Sequence, residues 1–275
     1  MQEDISQIAH KIRRMTFEAI ATAGRGHYGG SLSISEILAV LYFKVLNIDP
    51  ANPKDEKRDR FILSKGHGGP ALYSTLALRG YFPYQEVLDG LDKPLSNFPK
   101  HIDRLKLDCI EASTGPLGQG LSMGCGMGIT FLQQGRNNRV YVLGSDGECD
   151  SGQQWEAVMT AAKYRLGNLI LIIDRNNLQI DGCCDDIMPT DPLDERFEAF
   201  GWMSRNVDGH NTEEIETAIR EIQEHQQKEA KPGVVIAKTV KGRGVSFMEN
   251  EAIWHSGSIT REQYEQAVEE LGGDL

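Results

Sequence analysis

The chain has 275 residues, 40% hydrophobic and 25% charged, with a net charge of -11. That length can bury a sizeable α/β core, while the acidic balance excludes a nucleic-acid-binding surface. No apolar run of roughly eighteen residues occurs and the start, Met1-Gln2-Glu3-Asp4-Ile5, is acidic, so neither a membrane span nor a signal peptide is read and a cytoplasmic location is expected. The cysteines are odd in number, lack a CxxC and place Cys183 beside Cys184, which favours neither a zinc site nor a disulfide scaffold.

Residues 3 to 23 carry Ile5, Ile8, Ile12, Met15 and Ile20 at helical spacing and predict an amphipathic helix. Gly24-Arg25-Gly26-His27-Tyr28-Gly29-Gly30-Ser31 breaks it and puts His27 on a tight loop. Ser35 and Glu36 open a second helix expected to run through Val45, and the polar, two-proline segment 49 to 59 reads as a surface loop. Arg60-Phe61-Ile62-Leu63-Ser64 is a short strand running into Lys65-Gly66-His67-Gly68-Gly69-Pro70, with a helix over 71–79 behind it. A glycine-flanked histidine between strand and helix has the place of a ligand loop in a doubly wound sheet. His101 stands alone in an irregular stretch, Phe98-Pro99-Lys100-His101. One loop histidine is more often solvated than catalytic, but repetition shifts the balance toward function.

Ser113-Thr114-Gly115-Pro116-Leu117-Gly118-Gln119-Gly120 opens a helix whose Gly120, Gly124 and Gly128 leave one face bare for close packing of a helix or a subunit. Gly118-x-Gly120-x-x-x-Gly124, followed by Asp146, also resembles a variant dinucleotide fingerprint. That reading predicts a nucleotide-binding module without catalysis. It lacks a convincing leading strand, because Cys109-Ile110-Glu111-Ala112 is short and Thr114-Gly115-Pro116 interrupts it. No GxxxxGK(S/T) phosphate loop is present.

The chain is organised around Gly144-Ser145-Asp146-Gly147-Glu148 and, about thirty residues on, Asp174-Arg175-Asn176-Asn177. Each follows an aliphatic run, 139–143 and 169–173, of the kind a parallel sheet covered on both faces requires. Ser151 to Arg165 between them is helical, with Trp155, Val158, Met159 and Ala162 expected on one face. A right-handed crossover then brings both strand ends to one edge, where open α/β sheets bind ligands. Asp146, Asn176 and a carbonyl just after Asn177 are hard oxygen donors. They suit magnesium, with diphosphate oxygens and water completing its shell. Helices over 193–200, 212–227 and 261–271 and strands over 202–207 and 234–240 are expected beyond. The basic turn Lys241-Gly242-Arg243-Gly244 and a fourth isolated histidine, His255, lie among them. No linker or repeat divides the chain. A single domain over 1–275 is expected: α/β, a three-layer doubly wound, mostly parallel sheet with helices on both faces.

In order, GHYGG, SKGHGG, His101, STGPLGQG, SDGE, DRNNLQIDG, VDGH and VKGRGVSF with His255 resemble the N-terminal, diphosphate-binding half of transketolases. The resemblance covers nearly the whole chain. Whole transketolases are more than twice as long, so the chain resembles the N-terminal subunit of a split transketolase. The resemblance implies the thiamine-diphosphate-binding fold, with thiamine diphosphate and Mg2+ (or Ca2+ or Mn2+ in its place) as cofactors. It implies metal binding by Asp146, Asn176 and the Leu178 carbonyl. Diphosphate contacts fall to Gly147, His67 and His255, cofactor binding also to Asn176, and aminopyrimidine contacts to Gly115 and Leu117. His27, His67, His101 and His255 would line the mouth as catalytic residues, and Glu156 would lie near a dimer contact. Histidines suit that role because their ordinary pKa lies near working pH. The implied reaction moves a two-carbon ketol unit from a ketose phosphate or modified ketose to an aldose phosphate. A C-terminal partner subunit would carry the pyrimidine-binding domain, with two copies of each chain. Neither nucleic acid nor membrane would be a partner. A deoxyxylulose-phosphate-synthase-like or 2-oxoacid-decarboxylating subunit is the alternative with the same cofactor. The chain departs from the family pattern at Ser145, Ser151 and Tyr28, where a glycine, a glutamate and a proline are usual.

Overall fold

A computed structural model describes residues 4–272. Among them, β1 (Arg60–Leu63), β2 (Val140–Ser145), β3 (Leu169–Arg175), β4 (Met203–Asp208) and β5 (Gly233–Lys238) form one parallel sheet in the order β1-β2-β3-β5-β4. The helices are α1 (Ile5–Thr22), α2 (Tyr28–Leu32), α3 (Ser35–Val40), α4 (Gly69–Arg79), α5 (Tyr84–Gly90) and α6 (Gly120–Gln133). They continue as α7 (Gly152–Lys163), α8 (Cys184–Ile187), α9 (Leu193–Ala199), α10 (Thr212–Glu229) and α11 (Arg261–Glu270). The expected start of α1 at residue 3 lies outside the described residues. None of these helices is long and apolar enough to cross a membrane.

The strand sequences explain the layers. Tyr141, Leu143, Ile170, Ile172, Val235 and Ala237 alternate onto one face and pack on apolar residues of α1, α3, α4 and α10. Val140, Val142, Leu169, Leu171, Ile173, Val234 and Ile236 point the other way, toward α6, α7 and α9. Successive side chains of a strand face opposite sides, so only a nearly unbroken aliphatic run serves two cores at once.

Three expectations are corrected. The helix from Ser35 is α-helical only to Val40 and then widens into a π turn over Leu41–Val45, closed by Leu46 N–H donating to Leu41 O at 2.8 Å. The buried face of α7 is Gln154, Ala157, Val158 and Ala161, while Met159 is 48% exposed. Trp155 lies beside that face because it stacks on Phe197 and Phe200 of the α9 segment, with centroids 5.3 and 5.9 Å away. The glycine face of α6 meets the sheet, not a helix or a subunit. A Cβ at residue 120 would lie 2.4 Å from Ser64 Cβ, and one at residue 124 would lie 2.7 Å from a Val142 methyl.

Ser64 is fixed by backbone on both sides, so it cannot yield to that added methyl. Gly120→Ala is expected to destabilise the chain by about 1–3 kcal/mol through overpacking, read as a lower midpoint in urea with an unchanged slope.

The register sets the functional edge. Ser145 pairs with Asp174, and Asp174 with Ala237. The residues that follow β1, β2, β3 and β5 therefore emerge level with one another, on the side where open α/β sheets bind ligands.

Candidate active site

Four loops bring one histidine each to this edge. His27 precedes α2, His67 follows β1, His101 lies in the irregular stretch before α6, and His255 ends a short 3-10 turn. The His27 ring centroid is 5.4 Å from that of His67, 5.6 Å from His101 and 5.4 Å from His255, and His67 lies 5.1 Å from His255. Backbone bonds hold the loops together: Gly26 and Gly257 exchange two at 3.0 Å, and Gly242 N–H donates to Gly29 O at 3.0 Å. Tyr28, where a proline is usual, turns into the core between Phe17 and Trp254, away from the mouth.

All four histidines are shifted down from their ordinary value. Burial, followed by His101 and Lys100, lowers His27 to about 4. Burial, followed by Lys241, lowers His255 to about 4. His67 and His101 are lowered too, by burial first and then by Lys65 and Lys100 respectively. All four rings are therefore neutral at pH 7, able to donate from one nitrogen and accept at the other. His27 Nδ1 is buried without a partner.

Two buried ammonium groups lie beside the rings, and sequence reasoning missed both. Lys65 is ion-paired with Asp174, and neither side chain reaches solvent. Burial alone would raise the Asp174 carboxyl, but Lys65 with the Thr239 and Ser33 hydroxyls together hold the group below its ordinary value. Asp174 also accepts from Ser33 Oγ and Asn176 Nδ2, each at 2.9 Å, and from Thr239 Oγ1. Lys241 Nζ donates to Leu178 O at 3.0 Å and Gln179 O at 3.2 Å and lies 3.2 Å from His255 Nδ1. Burial, then Lys65, lowers it to about 8. The available signal was a lysine beside a glycine just past a buried strand, in Lys65-Gly66 and Lys241-Gly242.

The expected metal donors come from two adjacent strand ends, Asp146 after β2 and Asn176 and Leu178 after β3. Asp146, 2% exposed, accepts from Asn177 N–H at 2.5 Å and Gly147 N–H at 2.8 Å, with Arg175 Nη1 at 3.4 Å. Burial, reinforced by Asp174, raises its carboxyl to about 6. Asn176 Oδ1 accepts from Leu178 N–H at 3.1 Å. One carboxylate, one amide and one carbonyl oxygen form a hard set that fits magnesium. Each oxygen keeps lone-pair capacity beyond these bonds, and a divalent cation would offset the cost of ionising Asp146.

The surroundings fit a diphosphate. A Cβ at residue 30 would lie 3.0 Å from His67 Nε2 and 3.3 Å from Lys65 Nζ, so Gly30 keeps that cradle open. Gly115 lies under His101, where a Cβ would be 3.5 Å from the ring, and Leu117 is 42% exposed beside it. Gly147 donates its N–H to Asp146 Oδ1 at 2.8 Å. Glu148, also missed from the sequence, ties the loops from beneath. Fully buried, it accepts from Ser64 Oγ at 2.5 Å, Gly118 N–H at 2.8 Å and Ser145 N–H at 2.9 Å. At two of the family departures, Ser145 caps the 3-10 turn of residues 146–150 and Ser151 lies close against Gly118. The dinucleotide reading fails locally, since α6 is entered from an irregular segment with no strand before it.

Residues 5–274 match the family model described as transketolase, thiamine diphosphate binding domain. The chain belongs to this family. It is 46% identical to a 6-deoxy-6-sulfo-D-fructose transketolase subunit of Clostridium sp. (strain MSTE9), over 98% of this chain and 97% of that protein. It is 40% identical to one of the apulose-4-phosphate transketolase subunits of Phocaeicola vulgatus, over 98% and 94%. A transketolase crystal structure from Pichia stipitis, the R525L mutant, superposes with a TM-score of 0.92 at 28% identity, over 99% of this chain but 41% of that one. The chain thus has the extent of these transketolase subunits, about two-fifths of a whole transketolase.

Proposed function

We propose that this chain is the cofactor-binding subunit of a two-chain transketolase acting on modified sugar phosphates or sulfonates. The observation that carries the reading is the convergence of His27, His67, His101 and His255 beside Asp146, Asn176 and Lys241. In this reading Asp146, Asn176 and Leu178 O hold Mg2+, with Ca2+ or Mn2+ able to stand in its place. His67, His255, Gly147, Asn176, Lys65 and Lys241 face the diphosphate, and Gly115 and Leu117 the aminopyrimidine. Bound thiamine diphosphate supplies the electron sink for carbon–carbon cleavage.

The chain's own residues do the rest. Neutral imidazoles at His27, His101 and His255 hydrogen-bond sugar hydroxyls and take up or return a proton at the reacting oxygens. A base lowered to about 4 accepts a proton poorly at pH 7. A diphosphate beside these rings favours their charged forms and brings them back toward the working range. His27→Ala is expected to lower kcat of the assembled enzyme by about 10²–10⁴-fold while leaving thiamine diphosphate affinity within a few-fold. Steady-state kinetics with calorimetry on the same samples separates the two.

In this reading a C-terminal partner carries the pyrimidine-binding domain, with two copies of each chain in the assembly. The donor is a ketose with a strongly anionic group, because subunit-length relatives are named for 6-deoxy-6-sulfo-D-fructose and apulose-4-phosphate. The test is co-expression with that partner and assay of ketol transfer from these two sugars and from xylulose 5-phosphate. Magnesium- and thiamine-diphosphate-dependent transfer from either modified sugar supports the reading. Turnover that ignores both cofactors contradicts it.

A further inference from the structure

His210 stands apart from the four-ring cluster, in the Asp208-Gly209-His210 turn between β4 and α10. Its side chain is 12% exposed. Its Nε2 accepts the backbone N–H of Val240 at 2.8 Å. A ring nitrogen that accepts carries no proton, so the ring proton sits on Nδ1 and is donated to Glu36 Oε2, 3.1 Å away. Glu36 is gripped by Arg13 Nη2 at 2.5 and 2.6 Å, and both residues are buried. Arg13 lies on α1 and Glu36 on α3, so the orientation of His210 is set by two packed helices.

Val240 immediately precedes Lys241, whose Nζ binds Leu178 O and His255 Nδ1. The segment is tied by Thr239 N–H on Arg175 O, Thr239 Oγ1 on Asp174, Val240 N–H on His210, Asn250 N–H on Lys241 O and Gly242 N–H on Gly29 O. Among these, the bond from Val240 N–H is the one accepted by a side chain that touches neither the candidate metal donors nor the histidine loops. Without it, a part-buried N–H loses its partner and the backbone leading into Lys241 is held less firmly.

We infer that His210 is a positioning residue that fixes the Lys241 ammonium for the diphosphate, through the Arg13–Glu36–His210–Val240 chain. The inference rests on the reading of Lys241 as part of the cofactor site. It assigns His210 no contact with cofactor or substrate. Loss of a supporting residue of this kind costs about 10–100-fold in affinity for what the supported group binds.

The experiment compares His210→Ala, His210→Gln, Lys241→Ala and the His210→Ala/Lys241→Ala double variant in the assembled two-chain enzyme. Calorimetry with magnesium and thiamine diphosphate is the main readout. His210→Ala is expected to weaken binding by about 10–100-fold with kcat at saturating cofactor within about threefold. His210→Gln, whose amide oxygen can accept from Val240 N–H, is expected to recover most of the loss. In the Lys241→Ala background the His210 change is expected to add less than about twofold, since residues acting through one group are not additive. Hydrogen exchange on the cofactor-free chain gives a readout independent of binding, and amides 240–242 are expected to exchange faster in His210→Ala. A lower Tm with wild-type affinity overturns the inference, as do losses that multiply in the double variant or unchanged exchange at 240–242. Failure of the wild-type assembly to bind thiamine diphosphate sinks the cofactor reading itself, and this inference with it.

Discussion

Asp146→Ala is expected to weaken magnesium-dependent thiamine diphosphate binding by more than about 100-fold, beyond the 10–100-fold typical of residues that only support a metal ligand. Among the three candidate metal donors Asp146 is the one that carries charge. It is nearly inaccessible, and burial with Asp174 nearby already raises its carboxyl to about 6. Arg175 Nη1 at 3.4 Å only partly offsets the burial of its negative charge, which a divalent cation would offset further. The side chain has a second task, accepting from Asn177 and Gly147 N–H. Asp146→Asn separates the two, since an amide keeps an acceptor oxygen but not the charge. Both variants are expected to lose cofactor binding, and Asp146→Asn to keep a wild-type far-ultraviolet spectrum. Calorimetry with and without magnesium checks the first point and thermal melts the second. Wild-type affinity in Asp146→Asn would remove this residue from the metal site.

The purified chain without its partner is expected to turn over at least about 10⁴-fold more slowly than the assembly, at or beyond the upper range for losing one acid–base group. The histidine loops, the Asp146 turn and the two lysines build one wall of the site. Around it Leu117 is 42% exposed, Ile180 66% and Ile253 78%, so apolar side chains face outward near the mouth. Whole transketolases carry more than half their length beyond the portion this chain matches. Mixing the separate subunits is expected to restore turnover with a dependence on partner concentration. Ketol transfer by the lone chain at a comparable rate would end the two-chain account.

The central strands were legible because a strand buried on both faces has little choice of residue, as 139–143 and 169–173 show. His27 and His67 were legible because each interrupts a glycine-rich loop, and His101 and His255 only through their order in the set of motifs. What was missed depends on pairing across long sequence distances. Lys65 reads as an ordinary surface lysine until Asp174 lies against it, and Glu148 as an exposed acid until Ser64, Gly118 and Ser145 donate to it. The face of α7 was misjudged at Met159 because Trp155 packs on α9, so hydrophobic spacing alone pointed too far around the helix. The glycines of α6 signalled close approach correctly, but not that the neighbour was the sheet. The histidine protonation states depend on burial and on Lys65, Lys100 and Lys241, which no local motif reveals.

The central claim is that this chain holds the diphosphate and the metal of thiamine diphosphate. The most direct measurement is calorimetric titration of thiamine diphosphate into the assembled two-chain protein, with magnesium and with magnesium removed by chelation. Saturable binding that vanishes on chelation and in Asp146→Ala is the predicted result. Absence of binding in the intact assembly, or binding indifferent to magnesium and to Asp146, would contradict it.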